Sequence, residues 1–575
     1  MGSRLGRFVF LVSALTGVVF QSGPSLAQGV PAADLRNLAN DIQRERASQA
    51  EAEDRQRAAR QRREQVPAIQ SAAPSPFAPA QGGPCFQIRQ VDLEGWEAFG
   101  RKPNGFGHLV GSCATAADIA SALNDINQYY QELGYITTRA YAPEQDLSDG
   151  SLEINVVPGR IEGYVYADGS QADARVFMAF PGKRGDLLNL RHIEQGLENI
   201  NGPKSTSARF QLVPGEFPGG SFIQLHVEEK HPWHVELGAD NTGFETTGIV
   251  KTTARFGYDN LFGLNDQLSI GGTFTPFDNR SARYSDSYSA SWSVPFGNWY
   301  FGIDIGKSGY FFNLQGINQS YPVEGRSKYA TISAERLLFR NQTTKLYAYG
   351  DLKLTRTRTF IDNNEIESQR RRLTIASLGF RGETGVAKGK LTWDVAGKFG
   401  LDILDAHVLE KSVVNPEFRL IKARLSFDHP LPFKGVNYRG TVSGQYSKDI
   451  LPGTEQFTIG SWSTVRGFHA DSMYGDTGVF LRNTIEWDAY QDDNFDVRLN
   501  AGLDVGYVEP SDLRNWSQDY LAGGSLGADI KIMDHATLTL QVAHALSRPS
   551  ENPPNSQPAF EASRTVGFVG FKVNF

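Results

Sequence analysis

The most constraining feature of the sequence is a long run of alternating segments, each of about ten residues, from near Trp233 to the C-terminus. In "FDVRLNAGLDVGY", Phe495 to Tyr507, every odd position is apolar and every even position is polar or glycine. Successive side chains of a strand point to opposite faces, so each segment predicts a strand with one apolar and one polar face. We count sixteen, starting near residues 234, 249, 267, 282, 299, 324, 344, 370, 388, 416, 436, 479, 495, 519, 535 and 564.

A soluble β-sandwich or propeller is the main alternative, because the mean hydropathy of the chain is only −0.37. A membrane barrel also keeps a low average, since its two faces alternate, and its strand number is even. Many predicted strands exceed the five or six residues that are usual in globular proteins. The pattern therefore favours a sixteen-stranded antiparallel outer-membrane β-barrel over residues 232–575, with polar side chains facing an aqueous lumen.

The N-terminus predicts export from the cytoplasm. Arg4 and Arg7 precede an apolar run, Phe8 to Phe20, and small residues follow up to Ala27. This is the pattern of a secretory signal peptide over residues 1–27. The apolar run is too short to be a helix that spans a bilayer. The net charge of −7 argues against a nucleic-acid binder.

A polar helix and a linker are predicted next. Residues 33–64 lack Gly and Pro and are rich in Ala, Arg, Glu and Gln, which predicts a helix within residues 28–65. Beyond Leu35, Leu38 and Ile42 this helix is polar all round, so it must lie in water, in a polar channel or against a partner. Disorder is the alternative. Residues 66–84, rich in Pro, Ala and Gly, form a linker.

Two small α+β modules are predicted over residues 85–160 and 161–231, each with a βααββ-like order. The only two cysteines, Cys85 and Cys113, both lie in the first module. In an exported protein this favours a disulfide over two free thiols. It also leaves a metal–thiolate site without ligands.

One long segment, residues 451–478, interrupts the series of strands and is rich in glycine. Loops of this length are usually functional. An arginine in "TVRGF", Arg466, needs a carboxylate if the loop folds into the lumen, and Asp504 on the thirteenth strand points inward. The residues alone leave a second possibility open, in which Arg466 is solvated and Asp504 pairs with a basic residue on a neighbouring strand.

Nothing in the sequence predicts catalysis, a cofactor or a metal. The pairs Asp428–His429 and Asp534–His535 could activate water, but they lie where turns are expected. His231 and His234 have no third ligand in sight. No glycine-rich phosphate loop is present.

The order of these parts resembles the transporter component of two-partner secretion, the TpsB family of haemolysin secretion/activation type. The stretches that carry the resemblance are "GYITTRAYAPEQDLSDGSLEINVVPGRIEG" in the first module, "GADNTG" near the first strand and "TVRGF" in the long loop. The family belongs to the superfamily of outer-membrane barrels with periplasmic POTRA modules. The last strand, with Phe571, Val573 and Phe575 on one face, also resembles the terminal assembly signal of bacterial outer-membrane barrels.

The resemblance implies a site and a function. It implies a loop anchor, in which Val465, Arg466, Gly467 and Phe468 enter the lumen and Arg466 meets Asp504. It implies that residues 28–65 plug the pore, and that the POTRA modules, in the periplasm, recognise a dedicated exoprotein of TpsA type for export without ATP.

The resemblance also implies partners: outer-membrane lipid, lipopolysaccharide and the barrel-assembly machinery. It implies no enzymatic activity. The alternative function is a POTRA-barrel assembly factor that inserts outer-membrane proteins. A passive porin does not explain two periplasmic modules.

Overall fold

The computed structural model of the protein describes residues 83–315, 319–408, 416–468, 472–510, 519–533, 535–547 and 564–575. The predicted signal peptide (1–27), the predicted plug helix (28–65) and all of the predicted linker except its last two residues lie outside the described residues. Among the described residues, no helix combines the length and the apolar character needed to cross a bilayer.

The first module packs one helix on a small sheet. Its elements are β1 (Phe86–Gln87), β2 (Gln90–Glu94), β3 (Cys113–Ala114), α1 (Ala116–Glu132), β4 (Arg139–Tyr141) and β5 (Ser151–Val157). The strands β2, β5 and β4 form one sheet in that order, and β1 pairs with β3. A Thr115–Asp118 capping box begins α1, and its buried face packs on the sheet. Cys85 and Cys113 form a disulfide with a Cα–Cα distance of 5.2 Å.

The first module departs from the predicted βααββ order. Two short 3₁₀ turns, Trp96–Phe99 and Gly107–Leu109, stand where the first helix was expected. Gly95, Gly100 and Gly105 adopt positive φ values around these turns. Glycine tolerates this conformation, and it interrupts an α-helix, so no longer helix forms there.

The second module has the predicted βααββ order. Its elements are β6 (Arg160–Tyr166), α2 (Ala174–Ala179), α3 (Leu190–Ile200), β7 (Thr206–Pro214) and β8 (Gly220–Glu229). The sheet order is β6–β8–β7, with β6 parallel and β7 antiparallel to β8. One edge of this sheet is therefore β7.

Sixteen long antiparallel strands form a closed barrel, as predicted. They are β9 (Trp233–Asp240), β10 (Lys251–Asp259), β11 (Gln267–Phe274), β12 (Arg283–Phe296), β13 (Trp299–Gln315), β14 (Ser320–Arg340), β15 (Thr344–Ile361), β17 (Arg371–Val386), β18 (Gly389–Leu401), β20 (Arg419–Pro430), β21 (Val436–Ser447), β23 (Met473–Gln491), β24 (Phe495–Pro510), β25 (Tyr520–Ile532), β26 (Ala536–Ala545) and β27 (Thr565–Asn574). Three short strands, β16 (Asn364–Glu365), β19 (His407–Val408) and β22 (Phe457–Ile459), pair with their ends.

The two faces of the barrel wall differ as the alternation predicts. Outward side chains such as Leu378, Leu503 and Leu526 are more than 60% exposed, whereas Asp504 on the inner face is 4% exposed. Short turns join the strands at the end that meets the second module, and longer connections lie at the opposite end. The apolar outer face is the surface that a bilayer covers.

The barrel closes between its first and last strands. Five residue pairs, from Gly570–Asp240 to Asn574–Glu236, join β27 to β9. The C-terminal residue continues the seam, because the Phe575 amide donates to Val235 O at 2.9 Å. Phe571 and Phe575 are exposed on the outer face, and Val573 shares their parity.

The second module is fixed to the barrel by buried polar contacts, which we call the junction cluster (Glu194, Glu198, Arg340 and Lys345). Arg340, at the end of β14, donates to Glu198 at 2.6 Å and to Glu194 at 3.2 Å, both on α3. Lys345 on β15 donates to the same Glu198 carboxylate at 2.7 Å. Two more turns at this end of the barrel also contact the module: Asn199 donates to Gly297 O, and Arg175 donates to Asn265. The module is thus attached to consecutive turns of the barrel.

Candidate functional site in the barrel lumen

The long loop lies between β21 and β23 and returns to the wall before its predicted end. The structure places residues 473–478 in β23 rather than in the loop, because β22 pairs with Met473, Tyr474 and Gly475 and so extends that strand. Residues 469–471 lie outside the described ones. The loop proper therefore covers residues 448–472.

Apolar side chains of the loop pack on the inner wall. Val465 is fully buried and Phe468 is 4% exposed, in one cluster with Ile459 of β22. The same cluster contains Val508 of β24 and Leu521 of β25, whose parity places them on the lumen face with Asp504. Burial of these apolar side chains stabilises the position of the loop on the wall, which glycine residues, having no side chain, cannot do.

Arg466 and Asp504 are brought together in a bidentate ion pair. Arg466 donates from Nε to Asp504 Oδ2 and from Nη2 to Asp504 Oδ1, both at 2.6 Å. The backbone amide of Arg466 also donates to Asp504 Oδ2, at 3.1 Å. The side chains are 1% and 0% exposed. This is the two-pronged geometry that a guanidinium group favours and an ammonium group cannot reproduce.

The remaining hydrogen bonds of Arg466 connect it to β23. Its Nη2 also donates to the Asn483 carbonyl at 2.9 Å and to the Thr484 hydroxyl at 3.2 Å. A buried charge is tolerated only when it is paired and hydrogen-bonded, and here both conditions are met.

The second possibility for Asp504, a basic partner on the next strand, has a clear candidate. Arg482 of β23 lies directly across from Asp504 in the strand register. Arg482 instead donates to the loop carbonyl of Trp462 at 2.5 Å. Both arginines thus hold the loop, one through Asp504 and one through the backbone.

Three glycines make room for the loop anchor, and sequence reasoning found only one of them. Gly467 has φ of +101°, in the left-handed region that favours glycine. A Cβ on Gly502 would lie 2.0 Å from Arg466 Nη2, and one on Gly523 would lie 1.7 Å from Arg466 O. The signal for Gly502 was available, because it is two residues from Asp504 and therefore on the same face.

The loop touches the wall at widely separated strands. Its Trp462 ring lies 4.7 Å from the Phe568 ring of β27, between ring centroids. On the other side, Lys398 of β18 donates to Glu455 of the loop at 3.0 Å. From β18 to β27 the barrel order includes eight of the sixteen long strands. The loop is therefore braced across half of the perimeter.

The sequence pair Asp428–His429 does not form a dyad. Both residues belong to β20 rather than to a turn, so their side chains point to opposite faces. Asp428 is bonded to Arg439 on β21, and His429 stacks on Phe427. Asp534 lies outside the described residues.

Comparison with known proteins adds the family. A model described as "Haemolysin secretion/activation protein ShlB/FhaC/HecB" matches residues 219–530. A ShlB-type POTRA domain matches residues 86–159, and a further POTRA domain matches residues 160–214. The chain belongs to this family. It is a two-partner secretion transporter of the outer membrane, with its POTRA domains in the periplasm.

Individual relatives of the transporter agree. The outer membrane transporter CdiB of Dickeya dadantii (strain 3937) is 30% identical over 486 residues, covering 82% of this chain and 85% of the relative. The hemolysin transporter protein ShlB of Serratia marcescens is 27% identical, covering 84% and 86%. The solved structure of CdiB from Escherichia coli superposes with a TM-score of 0.79 at 25% identity, covering 94% of this chain and 99% of that one.

Proposed function

We propose that the transporter exports one dedicated, large exoprotein of TpsA type, which its POTRA domains capture as an unfolded chain in the periplasm. The observation that carries the proposal is the loop anchor inside a barrel that is fixed to a periplasmic module. A passive porin needs neither part. Relatives named as transporters favour export over the alternative function of a barrel-assembly factor.

An open strand edge on the second POTRA domain supports capture by β-augmentation, in which an extended substrate chain adds a strand to the sheet. The Asn201 side chain accepts from the Ala208 amide at 2.6 Å and donates to the Ala208 carbonyl at 3.2 Å. The backbone groups of Ala208 therefore face away from β8. By the alternation of an antiparallel ladder, those of Phe210 and Leu212 face the same open edge.

Export then proceeds without ATP in this proposal. The unfolded chain passes from the POTRA domains into the barrel, the segment within residues 28–65 leaves the lumen, and folding outside the cell favours forward movement. The polar composition of residues 33–64 suits a water-filled lumen. The proposal assigns the transporter no catalytic step.

We propose that the C-terminal strand guides biogenesis. Phe571, Val573 and Phe575 lie on the outer face of the strand that closes the barrel. The barrel-assembly machinery would recognise these residues before the seam forms. Afterwards this surface faces outer-membrane lipid.

A proline on the open edge tests substrate capture. Phe210→Pro removes an edge-directed amide without removing a ladder hydrogen bond, so export of the exoprotein encoded beside the transporter is expected to fall several-fold. Phe210→Ala keeps the amide and is the matched control. The exoprotein outside the cells is measured by immunoblot. Equal export by Phe210→Pro and Phe210→Ala contradicts capture at this edge.

Deletion of residues 33–64 tests the plug. We expect the single-channel conductance in planar bilayers to rise, because a helix in the lumen blocks ion flow. A conductance equal to that of the full chain rejects the plug. Loss of all export when the transporter is absent, with restoration by the full chain, tests the export function separately.

A further inference from the structure

Four cations form one row across neighbouring strands of the barrel. In the strand registers, Lys307 of β13 lies opposite Lys328 of β14. Lys328 lies opposite Arg356 of β15, and Arg356 lies opposite Arg372 of β17. Like charges directly opposite each other destabilise a sheet. A continuous row of them therefore calls for an anion that lies against it.

The row lies on the outer face of the barrel, at the extracellular end of its apolar band. Lys307 follows Ile305 by two residues on the same face, and Ile305 and Ile332 are 52% and 63% exposed there. The strand β13 starts at Trp299, next to the periplasmic turn, so Lys307 is its ninth residue. A membrane strand crosses the bilayer in about 9–11 residues. The row is thus level with the headgroups of the outer leaflet.

Three of the four cations have no acidic partner of their own. Arg372 is paired with Asp405. Within the described ranges no carboxylate forms an ion pair with Lys307, Lys328 or Arg356, and Lys307 lies over the Tyr288 ring. All three are exposed.

The next row outward is built differently. There, Arg326 lies opposite Arg358, and each has a carboxylate from the chain itself. Arg326 donates to Glu324 at 2.6 Å and 2.8 Å, and Arg358 lies 3.8 Å from Glu365. The chain thus neutralises the outer row and leaves the row beside the apolar band for an external anion.

We propose that the row of Lys307, Lys328, Arg356 and Arg372 binds the phosphate groups of a lipopolysaccharide molecule in the outer leaflet. Strands are about 4.8 Å apart, so four strands span roughly 14 Å, which is wide enough for more than one phosphate. Arg356 can bind a phosphate with two hydrogen bonds. The acyl chains lie against Ile305, Ile332 and Leu354, directly below the row. The proposal rests on the outer-membrane location and not on export.

Binding of defined lipids to the purified full-length transporter in detergent tests the proposal. The probes are lipid A with two phosphates, lipid A without phosphates, inorganic phosphate and phosphatidylglycerol, and Kd is measured by native mass spectrometry. We expect the double variant Lys328→Gln/Arg356→Gln to bind the diphosphorylated lipid A at least tenfold more weakly than the unchanged protein. Dephosphorylated lipid A should bind to the unchanged protein equally weakly.

Arg336→Gln is the matched control, because Arg336 is an exposed cation on the same face of β14 at its periplasmic end, beside Trp299. It should bind diphosphorylated lipid A as the unchanged protein does. Folding of each variant is checked by the heat-dependent mobility of the barrel on gels. If the double variant does not fold, Lys307→Gln replaces it, with an expected threefold loss of affinity for diphosphorylated lipid A. Unchanged affinity in the row variants overturns the proposal. So does inorganic phosphate or phosphatidylglycerol binding as tightly as diphosphorylated lipid A.

Discussion

The loop anchor and the junction cluster are both buried ionic sites, but they differ in the number of charged partners that each group has. In the loop anchor, one arginine meets one carboxylate, and every hydrogen bond from Arg466 to a charged group goes to Asp504. In the junction cluster, Glu198 receives two cations, Arg340 and Lys345, and Glu194 is bonded to Arg191 as well as to Arg340. If one group of the loop anchor is removed, the other group is left as a buried charge without its ion-pair partner. If one cation of the junction cluster is removed, each acid still has another cation beside it.

This difference separates two roles. The loop anchor is a single ion pair that three closely packed glycines surround, so among the described residues it has no second carboxylate or cation to replace a lost partner. A network with spare partners holds the second POTRA domain on the barrel under small disturbances. We therefore expect substitutions in the loop anchor to act on export, and substitutions in the junction cluster to act on the stability of the domain attachment.

The largest effect is expected from Arg466→Ala. Removing one partner of a buried ion pair costs about 3–5 kcal/mol, because Asp504 keeps an uncompensated charge. We expect the barrel to assemble, the loop to leave the wall and exoprotein export to fall at least tenfold. Export is measured by immunoblot, and release of the loop is measured by protease cleavage within residues 448–472.

Two companion variants sharpen this experiment. Arg466→Lys keeps the charge but cannot bond both carboxylate oxygens, so it should restore little export. Arg466→Ala with Asp504→Ala removes both charges and should release the loop less completely than Arg466→Ala alone. Export at the unchanged level in Arg466→Ala means that the loop anchor is structural only.

The strand pattern and the loop were largely predictable because lipid and water impose a two-residue alternation. The two strands predicted to start late, near 324 and 479, begin at Ser320 and Met473. Both extend at the extracellular end, where no bilayer enforces apolar side chains on one face. The alternation of apolar and polar residues is weaker there, so the sequence does not indicate the first residue of these two strands.

Contacts that depend on register or on distant elements were not predictable. Arg482 lies across from Asp504 in the strand register but donates to the Trp462 carbonyl, and only the path of the loop brings Arg466 to Asp504. Glu198 and Arg340 lie on a helix of one domain and a strand of another. Likewise, Lys307 and Lys328 become neighbours only through the register of β13 and β14.

The next largest effect is expected from Gly502→Ala. The added Cβ would lie 2.0 Å from Arg466 Nη2, so the guanidinium group must move and the bidentate geometry is lost. We expect export to fall about three- to tenfold, since backbone and charge remain intact. Gly524→Ala on β25 is the control, because the nearest atom to its added Cβ is Leu503 Cδ2 at 3.4 Å, an ordinary van der Waals distance. Equal export by both variants would show that the Arg466 side chain can move to make room for the added Cβ without a loss of function.

A smaller effect is expected in the junction cluster. Arg340→Ala removes bonds to Glu194, Gln195 and Glu198, yet Lys345 and Arg191 still neutralise both acids. We expect a loss of about 1–3 kcal/mol, less than in Arg466→Ala. Lys345→Ala should cost less than Arg340→Ala, because Arg340 retains all its own contacts. The rate of protease cleavage between the second POTRA domain and the barrel measures the effect of each variant. A larger effect of Lys345→Ala than of Arg340→Ala contradicts the proposal that Arg340 contributes more to the attachment.

The smallest effect is expected for an ion pair of the same second POTRA domain that is not buried. Arg209 of β7 and Glu228 of β8, which are diagonal neighbours in the strand register, form an ion pair at 2.8 Å, with side chains 74% and 72% exposed. Surface pairs contribute about 0–1 kcal/mol because water and salt screen them. Arg209→Ala should leave domain stability, measured by thermal unfolding, and attachment to the barrel unchanged within error. A loss comparable to that of Arg340→Ala would mean that burial is not what separates these sites, and that the contrast between loop anchor and junction cluster needs another cause.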